Sequence, residues 1–370
     1  MPLHIIRKRL QNIYKKIIYS IFKIFHGNID GVITLRDDQE IKKVTLDNEI
    51  EYSIYICNKS RIYTDTITDT AFIINNKIVK GASFQLRNTI NTDISENIVF
   101  HKGTPKIKKN LNGTVFSLLT GGAGNANYWH WLFDVLPRLN ILKKKIDLSE
   151  IDYFLFPDLK EKFQKETLDI LKVPYKKRIS SINFRHIETN RSIATDHPYV
   201  IKNDPSNEIQ NLPYWILKFL RDKFLMNKKS NNLPVKFYID RRDSKSNHRH
   251  LRKIINEEEI KKFLKNEGFS IICLSDYSFE DQVSLFSNAE KIVGLHGAGF
   301  ANLTFCNPET FALELKPTSA GNVIRNLAKK IDLNYQDISI DPLENSNNNQ
   351  QGLIKIPLNL LEKKLEIDYN

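Results

Sequence analysis

Two short stretches combine residue types that can move protons and hold anions. In NANYWHWLFDVLPRL (Asn125 to Leu139), helical winding places Asn127, His130, Asp134 and Arg138 along one side at steps of three, four and four. Leu132, Phe133, Leu136 and Leu139 are left to pack elsewhere, and Pro137 shortens or kinks the end. His130 and Asp134, one turn apart, have the spacing of a general base and the carboxylate that orients it. A polar stripe in so apolar a segment also fits a satisfied buried network. In KIVGLHGAGFANL (Lys291 to Leu303), a buried strand runs into His296, Gly297 and Gly299 ahead of a helix. Glycines at such a turn let backbone amides approach an anion, and a helix start adds positive potential. The glycine spacing is neither G-x-G-x-x-G nor a Walker loop, so a standard dinucleotide or P-loop site is disfavoured.

Two further stretches belong with these. Glu314 interrupts the apolar strand FALELKP (Phe311 to Pro317) and can accept the vicinal hydroxyls of a ribose, or pair with a lysine at the sheet rim. Strand VKFYID (Val235 to Asp240) leads into a loop holding Arg241, Arg242, Lys245, His248, Arg249, His250 and Arg252. Guanidinium forks match phosphate oxygens and can neutralise a diphosphate leaving group without a metal. The other readings are a solvated basic loop or a nucleic-acid patch, but the loop has no aromatic side chain for base stacking. Asn256 and the glutamates after it read as a helix cap. No D-x-D sequence occurs, which favours metal-free handling of phosphate, and no zincin, G-x-S-x-G or cysteine–histidine zinc pattern is present.

These residues need strand ends and helix starts to hold them. From Val235 onward, strands VKFYID, FSIICL (Phe269 to Leu274), KIVGLHG (Lys291 to Gly297) and FALELK (Phe311 to Lys316) alternate with helices over Asn256–Asn266, Ser278–Asn288 and Asn322–Lys330. That alternation predicts a parallel sheet covered on both faces, with ligands beyond the carboxyl ends of its strands. Residues 28 to about 115 are strand-rich, with runs such as EYSIYI (Glu51 to Ile56) and AFIINNKIV (Ala71 to Val79). A strand at Ile151 to Phe156 and a helix near Lys160 to Leu171 follow. Pro205, Pro213, Pro234 and KKSNN (Lys228 to Asn232) mark an inter-domain region around a helix from Pro213 to Met226.

The 370 residues suit two domains or one large one, and 41% hydrophobic against 26% charged residues excludes disorder as the main state. A formal net charge of +12 favours an anionic partner: nucleic acid, a membrane surface or a phosphorylated small molecule. Cys57, Cys273 and Cys306 are far apart, which suits neither a disulfide framework nor a zinc site and fits a reducing compartment. Ile6, Leu10, Ile13, Ile17, Ile21 and Phe25 recur at helical spacing while Arg9, Lys16 and Lys23 hold another face. This basic amphipathic helix is too interrupted for a secretory signal; it fits either an anionic membrane surface or its own domain.

Taken in order, HWLFDVLPRL (His130 to Leu139), YIDRRDS…LRKIINEEEI (Tyr238 to Ile260), DQVSLFSNAEKIVGLHGAGFANLTF (Asp281 to Phe305) and ALELKP (Ala312 to Pro317) resemble glycosyltransferase family 61. The resemblance covers Gly121 to Pro317. It implies an α/β fold of GT-B type, in which two Rossmann-like domains face a cleft and the C-terminal one is a doubly wound parallel sheet. It implies an inverting, metal-independent transfer from a nucleotide-sugar donor to a glycan or lipid-linked acceptor in surface (capsular) polysaccharide biosynthesis. By motif, Arg242 with Arg249 or Arg252 would face the diphosphate. His296, Gly297, Ala298, Gly299 and Asn302 would form the donor loop, Glu314 would meet the nucleoside, and His130 and Asp134 would border the acceptor.

The domain expectation is an amphipathic helix over 1–27, an acceptor-side domain over 28–212, a donor domain over 213–340 and a tail over 341–370 that packs back. The donor is a co-substrate, and neither cofactor, metal nor nucleic acid is expected. A cytoplasmic enzyme, peripheral at the inner face of the membrane, follows from the same reading. The rival readings are a pyruvyl-type polysaccharide-modifying transferase on a similar scaffold and a non-catalytic nucleotide- or polyanion-binding protein.

Overall fold

The computed structural model describes residues 3–37, 39–47, 50–66, 69–87, 90–119, 127–199, 212–227, 232–244, 252–343 and 352–366. The fold is mixed α/β, in two compact units: Met1–Gln164 with Lys172–Trp215, and Lys165–Leu171 with Ile216–Asn370.

The first unit is built on an eleven-stranded mixed sheet around one long strand, Ile50–Thr66. That strand pairs antiparallel with Ile41–Leu46, Asp69–Ile74 and His186–Thr195. Parallel pairing joins His186–Thr195 to Lys109–Ser117, then Tyr153–Phe156, then Arg178–Ser180, with one further parallel pair at Gly31–Ile33 and Lys77–Val79. A Rossmann-like first domain would be parallel throughout; here short connections fold neighbouring strands into hairpins instead. The run AFIINNKIV shows why. Asn75 and Asn76 both adopt positive φ, 47° and 59°, and turn it into two antiparallel strands. Phe72, Val115, Leu155 and Ile187 lie in the core of this unit.

Helix Leu3–His26 also belongs to the first unit and is anchored near its C-terminal end. The His26 ring meets the Thr104 carbonyl at 3.1 Å, and Arg61 donates to the His26 carbonyl at 3.1 Å. Among the described residues, no helix is long and apolar enough to cross a membrane.

The second unit holds a five-stranded sheet in the order Ser270–Ile272, Lys236–Ile239, Lys291–Leu295, Phe311–Pro317, Asn334–Ile340. Every pair is parallel. In chain order that is 2-1-3-4-5, so the winding reverses between the first and third strands, the position where such sheets open a ligand crevice. One face packs Tyr238, Val293, Leu313, Leu315 and Ile338 against Ile260 and Leu264 of helix Glu257–Asn266 and against Leu361 and Leu365 of helix Leu358–Glu366. On the other face Phe237 meets Phe286 of helix Phe279–Ser287 at 5.3 Å.

The C-terminal residues enter this core through Ile354 and Ile356, and strand Gly352–Ile354 pairs with Arg252–Ile254. Asn256 holds the expected N-cap position of helix Glu257–Asn266, but its side chain is turned to the C-terminal residues rather than to the helix N–H groups. Its side chain donates to the Ile356 carbonyl at 2.8 Å and accepts the Ile356 N–H at 3.1 Å, clamping the tail. All three cysteines are buried free thiols. The helix expected from Pro213 to Met226 spans Tyr214–Phe224, with a 3-10 turn at Leu225–Asn227. The flanking segments 200–211 and 228–231, the glycine run Gly121–Asn125 and the loop residues Lys245, His248, Arg249 and His250 lie outside the described residues.

Candidate active site

The first unit gathers the His130 cluster. Asn127 caps the segment by accepting the Trp129 N–H at 2.9 Å. After the turn Tyr128–His130 the winding loosens to a π-turn over Trp131–Val135, closed by the Leu136 N–H on the Trp131 carbonyl at 3.1 Å. Pro137 has no N–H to donate, and an α-helix resumes from it through Lys143. The expected kink is thus a π-turn at the site itself, a feature often found at functional positions.

His130 and Asp134 keep contact across it, with Nδ1 and Oδ2 2.9 Å apart. Asp134 is 2% exposed, while the His130 side chain is 20% exposed. Two residues that sequence reasoning missed complete the cluster. The Tyr199 hydroxyl donates to Asp134 Oδ1 at 2.5 Å, and His197 Nε2 lies 3.7 Å from Oδ2. Their signal was DHPYV (Asp196 to Val200): proline holds its predecessor extended, and residues two apart then share a side.

Burial alone would raise the Asp134 pKa, but the facing His130 and His197 override it and hold the carboxyl below the usual range. Burial lowers the His197 pKa, with partial compensation by Asp134. Arg138, predicted on the same stripe, donates instead to the Thr195 carbonyl at 3.2 Å. Burial lowers its pKa to about 10, so it stays cationic at neutral pH. An ionised aspartate thus fixes the His130 tautomer with Nδ1 protonated, which leaves Nε2 as the basic nitrogen.

The second unit gathers the strand-end cluster. His296 follows the third strand and Glu314 lies in the fourth, both on the face opposite Leu313 and Leu315. The Glu314 carboxylate joins His296 Nδ1 and the Tyr335 hydroxyl. At 1% exposure it is engaged inside the sheet rather than offered to a ribose. Burial lowers the His296 pKa, partly offset by Glu314. Lys316 pairs with Asp337 at 2.9 Å, and Arg325 pairs with the same carboxylate at 2.7 Å.

The guanidinium at the switch point belongs to Arg241, not to the neighbour expected from the motif. Arg241 Nη1 donates to the His296 carbonyl at 3.0 Å and Nη2 to Ser244 Oγ at 3.3 Å. A Cβ on Gly297 would stand 3.3 Å from Arg241 Cζ, so the glycine permits this close approach. Arg242 pairs with Asp276 and its side chain is 59% exposed. Arg252 is half-buried at the start of its strand, its pKa lowered to about 10 by burial and then by the charge of Arg241.

The glycine loop also departs from expectation. Ala298–Phe305 winds as a 3-10 helix after Gly297. Gly299 faces Leu274, whose Cδ1 would lie 2.7 Å from a Cβ there. Asn302 is fully buried and donates to Gln282 Oε1 at 3.1 Å, so it ties the loop to helix Phe279–Ser287. Arg241, Arg252, His296, Gly297 and Glu314 therefore form one neighbourhood, Arg242 and Asn302 serve elsewhere, and Arg249 is not among the described residues.

A family model described as Glycosyltransferase 61 matches residues 128–313, just over half of the chain. The match runs from the His130 cluster to the residue before Glu314 and places the protein among transferases that move a sugar from a donor to an acceptor. The chain belongs to glycosyltransferase family 61. A search of curated proteins gives no match.

Proposed function

We propose that the protein is an inverting, metal-independent glycosyltransferase of GT-B-like architecture. It would move a hexosyl or pentosyl group from a nucleotide-sugar donor to a glycan or lipid-linked glycan acceptor in surface polysaccharide biosynthesis, on the cytoplasmic side of the membrane. The observation that carries the donor assignment is the Arg241 guanidinium lodged on Gly297 and His296 at the switch point, with a second cation, Arg252, whose pKa is lowered by burial and then by the charge of Arg241. Two guanidiniums that repel one another are stabilised by a dianion placed between their forks. The lack of a D-x-D pair suits the same reading.

In this reading His130 is the base, because Asp134 is buried and already accepts from Tyr199 and His130. His130 Nε2 takes the acceptor hydroxyl proton as the oxygen bonds to the anomeric carbon. The bond from that carbon to the diphosphate oxygen breaks on the opposite face, and its electron pair leaves with the nucleoside diphosphate. Within the second unit Arg241 and Arg252 would neutralise the leaving group, and within the first Asp134 would steady the imidazolium. One displacement inverts the anomeric centre.

The test is a panel of nucleotide sugars and nucleoside diphosphates, scored by thermal shift with and without EDTA and then by nucleotide release. One nucleotide class should stabilise the protein equally in EDTA. Stabilisation by none of them, or only when a divalent metal is present, would remove the assignment.

A further inference from the structure

We propose that helix Leu3–His26 docks the protein on an anionic lipid surface, lying along it with its apolar stripe immersed. At ~100° per residue, Ile6, Leu10, Ile13, Ile17, Ile21 and Phe25 fall within about a third of the helix circumference. They are exposed, Leu10 at 62% and Phe25 at 77%. The half-buried positions Ile18, Tyr19, Phe22, Lys23 and His26 lie on roughly the opposite side. The Phe22 and His26 rings lie 5.4 Å apart in a tilted arrangement, and His26 in turn meets His186 at 4.6 Å. The helix is thus fastened to its own unit by its other face, which settles the two readings of its periodicity in part: it is docked, and the stripe still faces outward.

Charge selects the occupant. The helix carries Arg7, Lys8, Arg9, Lys15, Lys16 and Lys23 and no Asp or Glu. A second copy would bring the same cations against these, on a chain whose formal net charge is +12, whereas an anionic leaflet complements them. With this many charges the helix lies on the surface rather than across it, in keeping with the absence of a span among the described residues.

The experiment uses the full chain with vesicles of phosphatidylcholine alone or mixed with phosphatidylglycerol, read by co-sedimentation in low and high salt. Analytical ultracentrifugation without lipid runs in parallel. Binding should need the anionic lipid and weaken with salt. Leu10→Asp with Ile17→Asp should lower partitioning about tenfold or more, and Lys15→Glu with Lys16→Glu should lower it on anionic vesicles. These positions are exposed, and unchanged thermal unfolding of both variants confirms their fold. Failure to bind anionic vesicles, binding that survives Leu10→Asp with Ile17→Asp, or a dimer without lipid that those substitutions abolish each overturns the proposal. No sugar donor enters the assay, so its result is independent of the transfer reaction.

Discussion

Replacing Arg241 and Arg242 one at a time by alanine discriminates between two neighbours that the sequence cannot rank. Arg241 directs Nη1 at the His296 carbonyl, in the loop that follows the third strand, at 3.0 Å, and Nη2 at Ser244 Oγ in its own loop at 3.3 Å. Charge-assisted bonds from such a fork to a diphosphate contribute about 1.5–3 kcal/mol. Arg241→Ala should therefore weaken binding of the productive nucleoside diphosphate by about 10- to 150-fold. Arg242 is engaged in an exposed ion pair with Asp276, and Arg242→Ala should change the dissociation constant about twofold or less. Isothermal titration in moderate salt reads both, with Arg241→Lys as the third arm: it keeps the charge, loses the fork, and should fall between wild type and alanine. Far-ultraviolet circular dichroism checks that all three fold. The reasoning fails if Arg242→Ala proves the more damaging, or if folded Arg241→Ala binds like wild type.

His130→Gln and Asp134→Asn should each lower turnover by about 10²–10⁴-fold with little change in KM, measured as nucleotide release with acceptor present; a loss below tenfold in both would remove the pair from the chemistry. Glu314→Ala strands the buried His296 and the half-buried Tyr335 and should cost about 1–3 kcal/mol of unfolding free energy in urea titrations, where a change under ~0.5 kcal/mol would show the triad to be dispensable. His186 is buried beside Arg61, Lys108 and His26, and burial lowers its pKa to about 3. The unfolded chain takes up this proton near pH 6.5, so the stability is present above that value and is lost as pH falls toward 3. At pH 5 the loss is on the order of 2 kcal/mol, and His186→Phe should flatten the decline in melting temperature between pH 7 and 5; identical slopes in variant and wild type would count against it.

The second unit was legible because its signal is local. Val235–Asp240, Phe269–Leu274, Lys291–Gly297 and Phe311–Lys316 are apolar runs, and the structure trims or extends their ends by one or two residues around the same centres. The fifth strand, Asn334–Ile340, gave no such run: it is an edge strand with only Ile338 fully buried, and its sequence NYQDISI alternates. The first unit was less legible because its pairing depends on which strands meet across long separations. Nothing in HIETNRSIAT (His186 to Thr195) announces that it lies between Ile50–Thr66 and Lys109–Ser117. Local signals marked single strands there, such as Glu51–Ile56 and Ile151–Phe156, and the Asn75–Asn76 turn, but not their partners.

At the candidate site, spacing along one element was readable and direction at the end of an element was not. His130 and Asp134 meet because four helical residues bring side chains together, and the π-turn leaves that contact intact. Arg241 and Arg242 are successive residues leaving a strand, where alternate side chains point to opposite sides. The register at which Lys236–Ile239 ends decides which arginine reaches His296 and which reaches Asp276. Glu314 shows the same limit in another form. Its place in an apolar strand marks it as engaged, but whether the partner is a ligand or the sheet itself depends on what the neighbouring strands present at that level. Here they present His296 and Tyr335, so the carboxylate orients the histidine from within. In the proposed reading an anion at this rim meets the Arg241 and Arg252 guanidiniums: burial and then the charge of Arg241 lower the Arg252 pKa, and an anion beside both would oppose that shift.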